Sequence, residues 1–89
     1  MINRTVEIIN KLGLHARAAS KFVKTASGFA SEITLRKGNR SANGKSIMGV
    51  MMLAASRGSV LELTADGADE EQAMAALEKL IAERFGEAE

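Results

Sequence analysis

The sequence predicts an α+β two-layer sandwich, a mainly antiparallel sheet covered on one face by helices, and three observations carry that prediction. Apolar and polar residues alternate over residues 2–8, 32–37 and 60–65, the period-two pattern of half-buried strands. Two longer stretches, 16–27 and 70–85, space their apolar residues at helical intervals. The run Lys37-Gly38-Asn39-Arg40 is a tight hairpin signal, and tight hairpins join antiparallel neighbours. The predicted order is β-α-β-β-α-β-α within a single domain, residues 1–89.

Each element follows from local residues. In the first strand Ile2, Val6 and Ile8 share one side and Asn3, Thr5 and Glu7 the other. The helix over 16–27 gathers Ala19, Phe22, Val23 and Ala26 on one face and stops at Ser27-Gly28. Ile33 and Leu35 point inward from the second strand, and the return strand near 40–43 is short and polar, which suits a sheet edge. Ser46 reads as an N-cap before a short apolar helix, Ile47 to Ala54, with Gly58 beyond its end. Leu61 and Leu63 face inward from the next strand, and Asp66-Gly67 turns the chain. Asp69 followed by Gln72 resembles a capping box for the last helix, 70–85, whose core side is Ala73, Met74, Leu77, Leu80 and Ile81.

Composition narrows the function. The 89 residues contain no cysteine and one histidine, which excludes disulfides, thiolate metal sites and multi-histidine metal sites, so no metal or other cofactor is expected. No apolar run reaches the roughly 20 residues that span a bilayer, and the alternating start is unlike a signal peptide, so no membrane insertion and a cytoplasmic location are expected. Residues 1–57 hold ten basic residues against two acids, and residues 58–89 hold two against nine, so the halves carry +8 and −7. Two solvated faces of opposite charge would explain this, as would a basic front that meets an acidic partner or a phosphate. Three phenylalanines with no tyrosine or tryptophan supply base stacking poorly, so nucleic acid is not an expected partner.

His15 is the residue best placed for chemistry. It follows Gly13-Leu14 and precedes a helix that starts near Ala16, which puts it at or just before the N-cap. The first N–H groups of a helix have no internal acceptor and, with the helix dipole, favour an anion. Arg17 adds a planar cation in the first turn. An unprotonated imidazole nitrogen beside those donors is a nucleophile placed to receive a phosphoryl group. The same position also suits an ordinary loop histidine near a helix cap.

The string Asn10-Lys11-Leu12-Gly13-Leu14-His15-Ala16-Arg17-Ala18-Ala19 resembles the active-site signature of the HPr family, the histidine-containing phosphocarriers of the bacterial phosphotransferase system. A second string, Lys45-Ser46-Ile47-Met48-Gly49-Val50-Met51, resembles the family's regulatory serine segment, and length and element order also agree. The resemblance covers nearly the whole chain. It implies a four-stranded antiparallel sheet of order 1-4-2-3 with three helices on one face. It further implies that His15 accepts a phosphoryl group on Nδ1 from enzyme I, charged by phosphoenolpyruvate, and passes it to enzyme IIA, with no turnover of the carrier's own. Arg17 would be the charge partner, and the backbone of Ala16, Arg17 and Ala18 the phosphate cradle.

The resemblance also implies that Ser46 is a target of the HPr kinase/phosphorylase, although an N-cap role alone would explain a serine there. The outward members of Ile47, Met48, Met51 and Met52 would form a docking surface beside His15, rimmed by Lys24 and Lys45, with Ser20 and Lys21 weaker candidates. By default that apolar stretch is core, and helical spacing turns only part of it inward. Arg36, Lys37, Arg40, Arg57 and the acidic tail around Glu87 and Glu89 carry no specific signal. The family usually has proline directly after the active-site arginine, where this chain has Ala18. Alanine is a good helix former, so the helix and the activity are expected to survive. Two other uses of the fold stay open: a nitrogen-branch carrier with no transport role, and a regulator that binds partners according to Ser46 phosphorylation. A carrier must offer one face to successive partners, so a monomer is expected.

Overall fold

The computed structural model describes residues 1–89. Its elements are β1 (Ile2–Glu7), α1 (Ala16–Ser27), β2 (Glu32–Lys37), β3 (Arg40–Asn43), α2 (Ile47–Met52), β4 (Val60–Asp66) and α3 (Glu70–Ala82), followed by a single turn over Arg84–Gly86. The four strands form one antiparallel sheet of order β1-β4-β2-β3. The helices pack on one face, so the architecture is the open-faced α+β sandwich of the predicted order. Register keeps the inward residues together, with Val6 opposite Leu61, Leu35 opposite Leu63 and Ile33 opposite Ala65. Phe22, Met74 and Leu77 from the helices close over Ile33, Leu35, Leu61 and Leu63 in one continuous core. The outward positions Asn3, Thr5 and Thr34 are polar and exposed.

Three local details depart from the sequence expectations. The first is the short helix, which stops at Met52, two residues early, because Ala54 sits at φ 52° and a left-handed residue cannot continue a right-handed helix. That conformation costs an alanine about 1–2 kcal/mol, while glycine would lose about 0.5–1 kcal/mol more backbone entropy on folding. Ala54→Gly is therefore expected to stabilise the fold by about 0.5 kcal/mol. Thermal unfolding checks this, and a clear drop in Tm would contradict it.

The second departure is at Asp69, which does not cap α3. Its carboxylate reaches across to the loop before β2 and accepts the N–H of Ala30 (2.8 Å), the N–H of Ser31 (2.9 Å) and the Ser31 hydroxyl (2.5 Å). Three donors from a loop with a buried serine outcompete one N–H of the carboxylate's own helix. Gly67 permits the approach, since a Cβ there would lie 2.7 Å from Ser31 Cα. The Ser31 hydroxyl foremost, and then the Ala30 N–H, hold the Asp69 carboxyl below the usual carboxylate range. A lowered carboxylate contributes stability that is present above its unfolded value and lost as pH falls through the folded one. The fold should therefore weaken as pH drops below about 4, and Asp69→Asn should be less stable at pH 7 with a smaller acid-dependent loss. Urea unfolding at pH 7 and pH 3 checks both parts.

The third departure is the end of the last helix, which closes at Ala82 and not near residue 85. Arg84, Phe85 and Gly86 all take positive φ (57°, 55° and 77°), which reverses the chain. Phe85 is fully buried and anchors this turn. The last residues are thereby led back across the start of α1.

Candidate functional site

The loop before α1 is held from below. Gly13 takes φ 68°, and a Cβ on it would meet the Ala55 carbonyl oxygen at 2.5 Å and Ser56 Cα at 2.8 Å, so only glycine fits. The next N–H, from Leu14, donates to the Ala55 carbonyl at 2.8 Å, and the Leu14 side chain is buried. His15 follows in extended conformation as the N-cap of α1, and its carbonyl accepts the Ala19 N–H at 2.8 Å. Its side chain does not cap the helix, so the imidazole is free for other partners. The N–H groups of Ala16, Arg17 and Ala18 have no acceptor in the protein, the open helix start that the sequence predicts. Ala18 also contributes a fully buried methyl to the core. Arg17 is exposed beside these groups.

The imidazole has a partner that the sequence does not announce. Glu87 Oε2 is hydrogen bonded to His15 Nε2. Glu87 Oε1 accepts a hydrogen bond from the Asn10 side-chain amide at 3.0 Å, and the same amide donates to the Gly13 carbonyl at 2.8 Å. Asn10 is fully buried and so ties the His15 loop to the returning tail. The tail is fixed at further points: Lys21 Nζ donates to the Phe85 carbonyl (2.6 Å), and the Lys11 N–H donates to the Glu89 carbonyl (2.6 Å). Together these residues wall a cleft of about 830 Å³ lined by Lys11, His15, Arg17, Lys21, Glu87 and Glu89 among others. The Asn10 hydrogen bond is the main cause that holds the Glu87 carboxyl below the usual carboxylate range, helped by His15 and Arg17 and opposed by partial burial.

Of the other residues singled out from the sequence, Lys21 lines this cleft and the rest lie outside it. Ser46 is the N-cap of α2, with its hydroxyl accepting the Gly49 N–H at 3.1 Å. Lys24 lies in the last turn of α1 and is exposed. Lys45 is partly engaged, since its Nζ donates to the Phe29 carbonyl at 2.7 Å. Lys21 is tied down by Phe85, and Ser20 is exposed. Only Val50 of α2 is buried; Ile47, Met48, Met51 and Met52 are all exposed, so the default expectation that this stretch is core does not hold. At about 100° per residue Met48 and Met52 stand on the side opposite Val50, and Ile47 and Met51 flank it at the edge of the core, less exposed than the other two. α2 packs against α1, the helix that follows His15.

A nucleophilic ring nitrogen beside three open N–H donors and an arginine is an arrangement that can take up a phosphoryl group and hold its oxygens. Comparison with known proteins gives the same class. The family described as PTS HPr component phosphorylation site matches residues 2–83. The phosphocarrier protein HPr of Neisseria meningitidis serogroup A is 60% identical over 100% of both chains. The crystal structure of HPr-C-His from Thermoanaerobacter tengcongensis superposes with a TM-score of 0.96 at 53% identity, covering 100% of both chains. A structure described as an HPr dimer from the same organism gives a TM-score of 0.79 at 54% identity, covering 98% of this chain and 100% of that one. The chain belongs to the HPr family, the phosphocarrier proteins of the phosphotransferase system.

Proposed function

We propose that His15 is the phosphoryl acceptor of this carrier, receiving the group from phosphorylated enzyme I and passing it to enzyme IIA, with no independent turnover. The single observation that carries this reading is the place of His15, at the head of α1 beside the unpaired N–H groups of Ala16, Arg17 and Ala18. The unprotonated ring nitrogen forms the N–P bond while the bond from phosphorus to the donor breaks, its electron pair leaving with the donor. The three N–H groups and the Arg17 guanidinium receive the phosphoryl oxygens, which are more numerous and more charged than anything the site holds at rest. In delivery the next acceptor's nucleophile bonds to phosphorus as the N–P bond breaks, its electron pair returning to the ring nitrogen.

Ser46 is proposed as the target of HPr kinase/phosphorylase. A phosphate there would sit at the start of α2, where its oxygens can still accept the Gly49 N–H. It would place a dianion on the surface that meets acidic partners and weaken docking to enzyme I by like-charge repulsion. The docking surface itself is proposed as Ile47, Met48 and Met51, with Lys24 and Lys45 at its rim; exposed methionines suit a face that accepts several partners. Lys45 must release the Phe29 carbonyl to serve there. Location in the cytoplasm and action as a monomer complete the proposal. A reconstituted relay tests it. With phosphoenolpyruvate, enzyme I and an enzyme IIA, catalytic amounts of the chain should drive phosphorylation of IIA. IIA left unphosphorylated by a folded chain would contradict the proposal.

A further inference from the structure

Glu87 gives the acceptor ring a second determinant that neither the helix start nor Arg17 supplies. A neutral imidazole carries one N–H, and which nitrogen holds it is set by the hydrogen bond made at the other side. The Glu87 carboxylate is held ionised by Asn10 and cannot donate, so its hydrogen bond to Nε2 requires the proton on Nε2. Nδ1 is then the nitrogen with the free lone pair. We propose that Glu87 is a positioning residue for phosphoryl transfer: its carboxylate accepts the Nε2–H of His15, fixes the ring so that Nδ1 is the nucleophile, and stabilises the charge the ring develops as Nδ1 is phosphorylated. The inference rests on His15 being the acceptor.

The step balances on these atoms. The Nδ1 lone pair forms the N–P bond, and the bond to the leaving group breaks with its electron pair departing on that group. The positive charge left on the ring is shared with the Nε2–H, which Glu87 already accepts. No proton moves in the forward step. A carboxylate that orients a catalytic imidazole and stabilises its cation plays the same physical role in hydrolytic triads. The geometry supports a built contact and not a chance one. Glu87 has its second oxygen on a fully buried asparagine, and its side chain is 13% exposed against 29% for His15, so the carboxylate is set beneath a ring that still faces solvent. The turn that delivers it uses two left-handed non-glycine residues, Arg84 and Phe85, a conformation retained only where surrounding contacts enforce it. Phe85 burial and Lys21 are those contacts.

The test uses the full chain with ring-labelled ¹⁵N-histidine and phosphoramidate as donor, a small reagent that needs no docking surface. Wild type, Glu87→Gln and Glu87→Ala are compared. In the wild type the ring spectrum should show Nε2 protonated and Nδ1 bare. In Glu87→Ala the two ring signals should move toward each other as both tautomers are populated, and His15 phosphorylation should slow about tenfold, the scale of one lost charge-assisted hydrogen bond. Glu87→Gln keeps an acceptor oxygen without the charge, so it should preserve the tautomer and give an intermediate rate. A Glu87→Ala chain that keeps both the wild-type tautomer and a rate within twofold would overturn the inference while leaving His15 as the acceptor. A wild type that phosphoramidate and enzyme I both fail to modify at His15 would overturn the underlying reading itself.

Discussion

His15→Ala leaves the chain folded and abolishes its phosphorylation by phosphoenolpyruvate and enzyme I. The expected loss is complete, because no other histidine exists to take the group. The stability cost is small by comparison. The ring is partly exposed and makes one side-chain hydrogen bond, to the Glu87 carboxylate, so removing it should cost about 1–2 kcal/mol. Labelled transfer and urea unfolding on the same sample separate the two effects. Acid-labile label on the His15→Ala chain would contradict the assignment of the acceptor.

Phe85→Ala produces the largest expected loss of stability. Phe85 is fully buried beneath the turn that closes the fold, and replacing a buried phenylalanine by alanine costs about 3–5 kcal/mol. That is a large part of the roughly 5–15 kcal/mol available to a domain. Phe85→Leu keeps most of the buried volume and should cost about 1.5 kcal/mol or less. The consequence reaches the site, because Phe85 anchors the segment that carries Glu87. Urea unfolding measures the stability, and the His15 ring resonances report whether Glu87 remains in place. A Phe85→Ala chain that loses less than about 1 kcal/mol would contradict the anchoring role.

Much of the scaffold was legible because its signals are local. Alternation placed β1, β2 and β4, the helical face of Ala19, Phe22, Val23 and Ala26 placed α1, and Lys37-Gly38-Asn39-Arg40 placed the β2–β3 hairpin. The open helix start at His15 was legible for the same reason, since it depends on a loop glycine and the onset of one helix. What the residues did not reveal depends on pairs far apart in the chain. Glu87 is 72 residues from His15, and nothing in an acidic tail states that a left-handed turn at Arg84 and Phe85 will return it there. Asp69 has the spacing of a helix cap, but its carboxylate is taken by Ala30 and Ser31, 39 and 38 residues away. Lys45 reads as a free rim charge until the Phe29 carbonyl is seen within its reach. Asn10 stands inside the signature string, yet its part as the link between Gly13 and Glu87 emerges only when the tail is folded over it.

Intact mass shows most directly whether His15 carries a phosphoryl group. The chain is incubated with phosphoenolpyruvate and a bacterial enzyme I, and its mass is read before and after brief acid treatment. The chain should gain one phosphoryl group that acid removes, as expected for phosphohistidine. No gain in a chain shown to be folded, or a gain that survives acid, would contradict this expectation.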